Sequence, residues 1–277
     1  MIGAGTMGHG IAYLAARAGC EVTLVDHAPE ALGRAVERIA ALLDGGVARG
    51  KLTAAEREAT AARIATSTAA EAAATGADIV LEAVVEELGA KRRVFQALEG
   101  AAPTALLATN TSSLSVAAIA AGLGGADRLV GMHFFNPVPA MRLVEIVPHP
   151  GTTAASVERA VAFARELGKE TIVVKDSPGF ASSRLGVALG LEAMRMLEEG
   201  VATAPDIDRA MELGYNHPMG PLKLSDLIGL DVRLAIAEAL YRATEEPQFH
   251  PPRILRDKVA RGELGKKSGK GFYVWGS

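Results

Sequence analysis

The sequence predicts an α/β fold in two parts: a mostly parallel sheet flanked by helices over residues 1–178, then an all-helical part over residues 179–277. Three observations predict it. A glycine triplet opens the chain just before a helical pattern, β-branched runs alternate with helical stretches up to about Asp176, and beyond "DSPGF" only helical periodicity remains. With 277 residues, 49% of them hydrophobic and 22% charged, the chain is long and apolar enough to fill two cores.

The first element is the turn in "MIGAGTMGHGIAYLAARAGCEVTLVD". Gly3, Gly5 and Gly8 give GxGxxG, Met7 to Ala18 is a helical pattern closed by Gly19, and "EVTLVD" is a β-branched strand ending in Asp26, 23 residues after Gly3. The spacing is that of a Rossmann-like dinucleotide fingerprint: a tight turn at Gly3, close backbone approach to a pyrophosphate at Gly5, and close helix-on-sheet packing at Gly8. The helix N-terminus then faces the phosphates. Asp26 would accept hydrogen bonds from the adenosine ribose hydroxyls and repel a 2′-phosphate, so NAD is favoured over NADP, and no arginine follows it to argue otherwise. Only Met1 and Ile2 precede Gly3, which is short for a central strand and points to a native start upstream.

Two helical stretches follow, Pro29 to Leu43 and a second opened by the capping box "TAAE" at Thr53 to Glu56; together they read as a helical hairpin inserted into the nucleotide fold. Their link "GGVARGK" carries Arg49 and Lys51, which by composition alone are a solvated basic loop or a phosphate contact. The sheet resumes with "DIVLEAV", whose strand is expected to end at Val85 before Glu86 and a helix bearing Lys91. "ALLATN" follows, delivering Asn110, Thr111 and Ser112 at a strand's carboxyl end, where ligands bind in such folds. "NTSS" could equally be a helix cap.

"RLVGMHFF" and "RLVEIV" are the next two strands, and the link between them is too short for a parallel crossover, so they run antiparallel. His133 and Glu145 each lie six residues from Pro139, and positions equidistant from a hairpin's centre are cross-strand neighbours, with Cβ atoms about 5 Å apart. A carboxylate beside an imidazole fixes its tautomer and favours its protonated form, as a proton-accepting histidine requires. A structural ion pair is the other reading of the same spacing. After "ETIVVK", long helical patterns such as "SRLGVALGLEAMRMLEEG" and "DVRLAIAEALYRATEE" make up the second part. In it Leu189, Met194, Met196 and Leu197 are expected in the core or a subunit contact, and "NHPMGPL" is a turn that starts a helix.

Several function classes are excluded by composition. A net charge of -3 with no long basic run argues against nucleic acid, the lone Cys20 permits no internal disulfide, and no Cys/His cluster has zinc-ligand spacing. No apolar run reaches the roughly 18 residues of a membrane span, and no signal-peptide layout opens the chain. A cytoplasmic protein away from membranes is expected.

With these residues in view, the chain resembles the L-3-hydroxyacyl-CoA dehydrogenase family, particularly its monofunctional bacterial 3-hydroxybutyryl-CoA members. "GAGTMG", "NTSSLS", "HFFNPVPAMRLVEI", "DSPGF", "HPMGPL" and "GKKSGKGFYVW" carry the resemblance in that order over nearly the whole chain. It implies NAD-dependent, reversible oxidation of a short-chain L-3-hydroxyacyl-CoA, with His133 as general base, Glu145 as its partner and Ser112 donating to the substrate's 3-oxygen. It implies NAD contacts at Gly3, Gly5, Thr6, Met7, Gly8, Asp26, Glu86, Lys91 and Asn110, and substrate contacts at Ser112, Asn136, Lys51 and Ser183, with Lys51 near coenzyme A and His217 bordering the acyl site. It also implies a homodimer through the helical part. One position departs from the pattern: Ser183 stands where family members have an asparagine, which puts that substrate contact in doubt. A sugar-acid dehydrogenase and a non-catalytic, crystallin-like NAD-binding protein remain as alternatives, and intact Ser112, His133 and Glu145 argue against the latter.

Overall fold

Strand Val22–Val25 (β1) and helix Thr6–Arg17 (α1) build the opening unit around the glycine turn, in a computed structural model that describes residues 1–276. The chain divides into two units, Met1–Asp176 and Ser177–Ser277. In the first, helices Pro29–Ala48 (α2) and Ala54–Ala62 (α3) are followed by strand Ile64–Ser67 (β2), helix Ala70–Ala74 (α4) and strand Ile79–Glu82 (β3). Then come helix Leu88–Leu98 (α5), strand Leu106–Thr109 (β4), helix Val116–Ala120 (α6) and strands Leu129–Phe134 (β5) and Leu143–Pro148 (β6). Helix Ala154–Glu166 (α7) and strand Glu170–Val173 (β7) complete the unit.

β1 pairs with β2, and β3 to β7 lie side by side in sequence order; all pairings are parallel except β5 with β6. Ile2 joins the two groups. It bridges Val25 and Glu82 in parallel, with Ile2 N donating to Leu81 O and Gly3 N to Val25 O, so two residues occupy the place expected of a full strand. All four residues of β4 are buried, as a central strand covered on both faces requires. Leu24, Leu106, Val130 and Ile146 meet α1, α2 and α7 in one core.

Two expectations are corrected. α2 does not stop at Leu43 but runs through Gly45 and Gly46 to Ala48, because a side chain at Gly46 would meet Leu52 and these glycines let the folded-back link lie against the last turn. β3 ends at Glu82 rather than Val85, because the Glu82 carboxylate turns back to accept Val84 N at 2.6 Å and breaks the ladder there.

The second unit holds helices Ser182–Glu198 (α8), Ala204–Gly214 (α9), Pro221–Ile228 (α10), Leu230–Thr244 (α11) and Arg253–Ala260 (α12). Met194, Leu222, Leu240 and Phe249 are in its core, with Met196 and Leu197 packed against it, while Leu189 is half-buried outside. "HPMGPL" opens α10 at Pro221. Two buried carboxylates clasp the C-terminal "GFYVW" segment: Asp208 accepts from Tyr273 Oη, and Asp226 from the backbone of Phe272 and Tyr273 and from the Trp275 indole. Among the described residues, no helix is long and apolar enough to cross a membrane.

Candidate active site

Three chain segments meet at the carboxyl ends of the parallel strands, and the glycine turn is the first. Gly3 has φ +96°, a conformation that L side chains rarely adopt, and a Cβ there would stand 2.6 Å from the Ala83 carbonyl. A Cβ at Gly8 would collide with the Gly3 carbonyl, whereas one at exposed Gly5 would meet nothing within 4 Å. Gly5 is the N-cap of α1, and no side chain caps that helix. Its first-turn N–H groups, with exposed Thr6 and half-buried Met7, therefore face open space suited to an anion. Asp26 stands at the end of β1, its Oδ2 accepting Ala4 N at 2.9 Å and its Oδ1 Ala28 N at 3.0 Å. Those two bonds fix the carboxylate and leave lone pairs for further donors. The turn and Asp26 together fit the pyrophosphate and ribose of a dinucleotide.

The second segment is the loop after β3 with the loop after β4. Glu86 Oε1 gathers four groups: the Thr111 hydroxyl at 2.6 Å, Ser112 N at 2.8 Å, Ser113 N at 3.1 Å and the Ser113 hydroxyl at 3.1 Å; the Ser112 hydroxyl follows at 3.3 Å. Partial burial pushes the Glu86 carboxyl up, but the Thr111 hydroxyl, the Lys91 ammonium and these N–H donors outweigh it, and the net direction is below the usual carboxylate range. Asn110 Oδ1 accepts Phe134 N at 2.9 Å, tying this loop to the strand that carries His133. Lys91 is not displayed at the surface of the site. It is fully buried, with Nζ 2.7 Å from Glu82 Oε1, 3.3 Å from Asn110 O and 3.4 Å from Glu86 Oε2.

The third segment is the β5–β6 hairpin. His133 pairs with Glu145 in the register that their symmetry about Pro139 predicts, Nδ1 lying 2.7 Å from Oε2. His133 is 6% exposed and Glu145 fully buried, and Phe135 packs on the imidazole at 4.4 Å between ring centroids. A nitrogen facing a carboxylate can only donate, so the neutral ring carries its lone pair on Nε2 and can accept a proton there. Asn136 is exposed on the hairpin link.

The remaining expected residues lie elsewhere in their units. Lys51 is exposed just beyond α2, Ser183 is half-buried in the first turn of α8, and His217, half-buried, follows the end of α9 with its N–H on Met211 O. Sequence reasoning missed three residues that hold the site. Glu82 accepts from Lys91, from the Thr109 hydroxyl at 2.7 Å and from Val84 N. Asp176 accepts from the Ser115 hydroxyl, Val116 N and Ala117 N at the head of α6. Lys169, 7% exposed, donates to Val138 O at 2.7 Å and Met141 O at 2.6 Å in the hairpin link. A carboxylate inside the apolar run "DIVLEAV" was the available signal for Glu82; Asp176 and Lys169 had none.

Comparison with known proteins agrees with this geometry. Residues 1–177 match the family described as "3-hydroxyacyl-CoA dehydrogenase, NAD binding domain", and residues 179–275 match its C-terminal domain. A 3-hydroxybutyryl-CoA dehydrogenase of Mycobacterium tuberculosis is 42% identical over 99% of this chain and 97% of its own length. A 3-hydroxyadipyl-CoA dehydrogenase of Escherichia coli is 44% identical over 99% of this chain, which spans 58% of that protein. The crystal structure of (S)-3-hydroxybutyryl-CoA dehydrogenase from Ralstonia eutropha superposes with a TM-score of 0.95 at 41% identity, covering 100% of this chain and 98% of that one.

Proposed function

This chain belongs to the 3-hydroxyacyl-CoA dehydrogenase family, and on the geometry of its site we propose that it oxidises the 3-hydroxyl of a short L-3-hydroxyacyl-CoA reversibly, with His133 as the general base. The buried His133–Glu145 contact at 2.7 Å carries the reading. NAD, when bound, takes the hydride from C3. His133 takes the hydroxyl proton at Nε2, and Glu145 stabilises the imidazolium that results. The Ser112 hydroxyl donates to the 3-oxygen as charge builds there. Gly3, Gly5, Thr6, Met7 and Gly8 hold the pyrophosphate at the head of α1, Asp26 accepts from the ribose, and Glu86 and Asn110 border the nicotinamide side, with Lys91 fixing both from below. Asn136, Lys51 and Ser183 meet the substrate, Lys51 towards coenzyme A.

The second unit is proposed to dimerise with a second copy; Leu213, Tyr215, Leu227 and Ile228 are large, exposed apolar residues on α9, the turn after it and α10, and a closed symmetric pair would cover them. The lone Cys20 and mixed surface charge suit a reducing cytoplasm. The test is NADH consumption with acetoacetyl-CoA against free acetoacetate. Turnover of the thioester alone is expected; faster turnover of the free acid would overturn the coenzyme A assignment, and oxidation of neither the forward nor the reverse pair would overturn catalysis altogether.

The relatives named above differ at the far end of the acyl chain, where a butyryl group ends in a methyl and an adipyl group in a carboxylate. Their resemblance to this chain leaves that end open.

A further inference from the structure

Arg233, on α11, has 4% exposure, and its Nε is enclosed with no hydrogen-bond partner. Among the described residues, neither Nη makes a hydrogen bond, and no carboxylate pairs with the guanidinium; burial alone pulls it down to about 10. Internal acceptors that could have served are engaged elsewhere. Asp208 accepts Leu222 N, Lys223 N and the Tyr273 hydroxyl, Asp226 holds the C-terminal segment, and the Ser225 hydroxyl donates to Pro221 O at 2.7 Å. A buried cation left in this state is unfavourable unless something else brings it an anion.

The guanidinium lies along α8. A Cβ built on Gly186 would stand 3.6 Å from Nη1, and one on Gly190 3.5 Å from Nε, so a side chain larger than alanine at either glycine would take the guanidinium's place. Gly186 and Gly190 fall three and seven positions beyond Ser183, on the same face of the helix. Nη1 therefore sits about one helical turn, ~5 Å along the axis, from the residue proposed to meet the substrate.

We propose that Arg233 receives a carboxylate at the far end of the acyl chain, so that this protein acts on 3-hydroxyacyl-CoA thioesters of dicarboxylic acids. The inference rests on the functional reading above and names its substrate class. Three carbon–carbon bonds separate C3 from the terminal carboxyl carbon of a six-carbon diacid, and with the carboxylate oxygens the extended reach is about 5 Å, comparable with that one turn. A planar guanidinium presents paired donors that match a carboxylate, and its low hydration makes arginine the basic residue best suited to a buried pairing. A methyl-ended chain would leave the cation without an acceptor, so discrimination follows from an unpaired charge in the wrong complex as well as from a new bond in the right one.

The experiment compares 3-hydroxyadipyl-CoA with 3-hydroxyhexanoyl-CoA, chains of equal length ending in a carboxylate and a methyl group. The wild-type protein is expected to favour the dicarboxylyl thioester by roughly tenfold or more in kcat/KM, mainly through KM. Arg233→Met should bring that ratio to about one, and Arg233→Lys should keep part of it. A wild-type ratio at or below one overturns the assignment while turnover of the hexanoyl thioester leaves the functional reading standing; turnover of neither sinks both. An unchanged ratio in Arg233→Met, with its dimer weakened in sedimentation, would also overturn it and give the guanidinium to a carboxylate of a second copy. The wild-type ratio decides even if the methionine variant fails to fold.

Discussion

The two units bury cations in opposite ways. In the first, Lys91 is wholly enclosed and meets the Glu82 carboxylate, the Asn110 carbonyl and the Glu86 carboxylate, while Lys169 meets two carbonyls of the hairpin link. In the second, Arg233 is nearly as enclosed and its Nε meets nothing. A buried cation with its acceptors in place is framework: its value lies in fixing neighbours, here the loops that carry Glu86 and Asn110. One without them is poised for a partner from outside the unit. The His133–Glu145 pair belongs with the first kind, with the difference that its histidine can change charge near neutral pH.

The largest expected effect comes from that pair. His133→Gln should lower kcat by roughly 10²- to 10⁴-fold with NAD binding, followed by nucleotide fluorescence, nearly unchanged. Combined with Glu145→Gln, the loss should be far smaller than the product of the two single effects. Independent, multiplicative losses would show that the two do not act as one unit.

Next comes Lys91→Met, which strands the Glu82 carboxylate in a sealed site and should cost about 3–5 kcal/mol of stability in denaturant melts. Adding Glu82→Gln removes the stranded charge and should recover more than half of that loss. A double variant no more stable than Lys91→Met alone would count against the ion pair as the cause.

Arg233→Met sharpens the contrast from the other side. It removes a buried charge that has no acceptor and replaces it with an apolar chain of similar length, so stability should be unchanged or raised by ~1–4 kcal/mol. A destabilisation as large as that of Lys91→Met would mean that the guanidinium is paired in the folded chain, and the comparison would fall.

The smallest effect is pH-dependent. The folded Glu86 carboxyl lies below its unfolded value, so between the two the unfolded chain binds more protons and stability rises with pH. The contribution is complete above the unfolded value and is lost as pH falls through the folded one. Acid melts should therefore be shallower for Glu86→Gln than for wild type; identical acid limbs would place the carboxylate outside the stability balance.

Much of the fold was legible because it follows from local periodicity. The glycine turn, the α3 capping box, the β5–β6 hairpin and its His133–Glu145 register all depend on residues within a short stretch, where spacing dictates which side chains share a face. Strand β2 escaped notice because "IATS" is short and only half-buried, and its identity comes from pairing with β1 about forty residues earlier. The end of α2 was misjudged because Gly45 and Gly46 read locally as a link, whereas contact with Leu52 keeps them helical.

By itself, then, the sequence determined the order of the elements, the NAD-binding fingerprint with Asp26, and the histidine–glutamate pair, since each is written in a spacing that backbone geometry converts directly into proximity. Only the tertiary structure decided which charges are satisfied. Lys91 and Arg233 are both basic residues on amphipathic helices, indistinguishable by periodicity; one was folded onto Glu82 from a neighbouring strand and the other against two glycines of α8. Whether a buried charge finds its counter-charge depends on contacts between distant segments, and spacing along the chain carries no record of them.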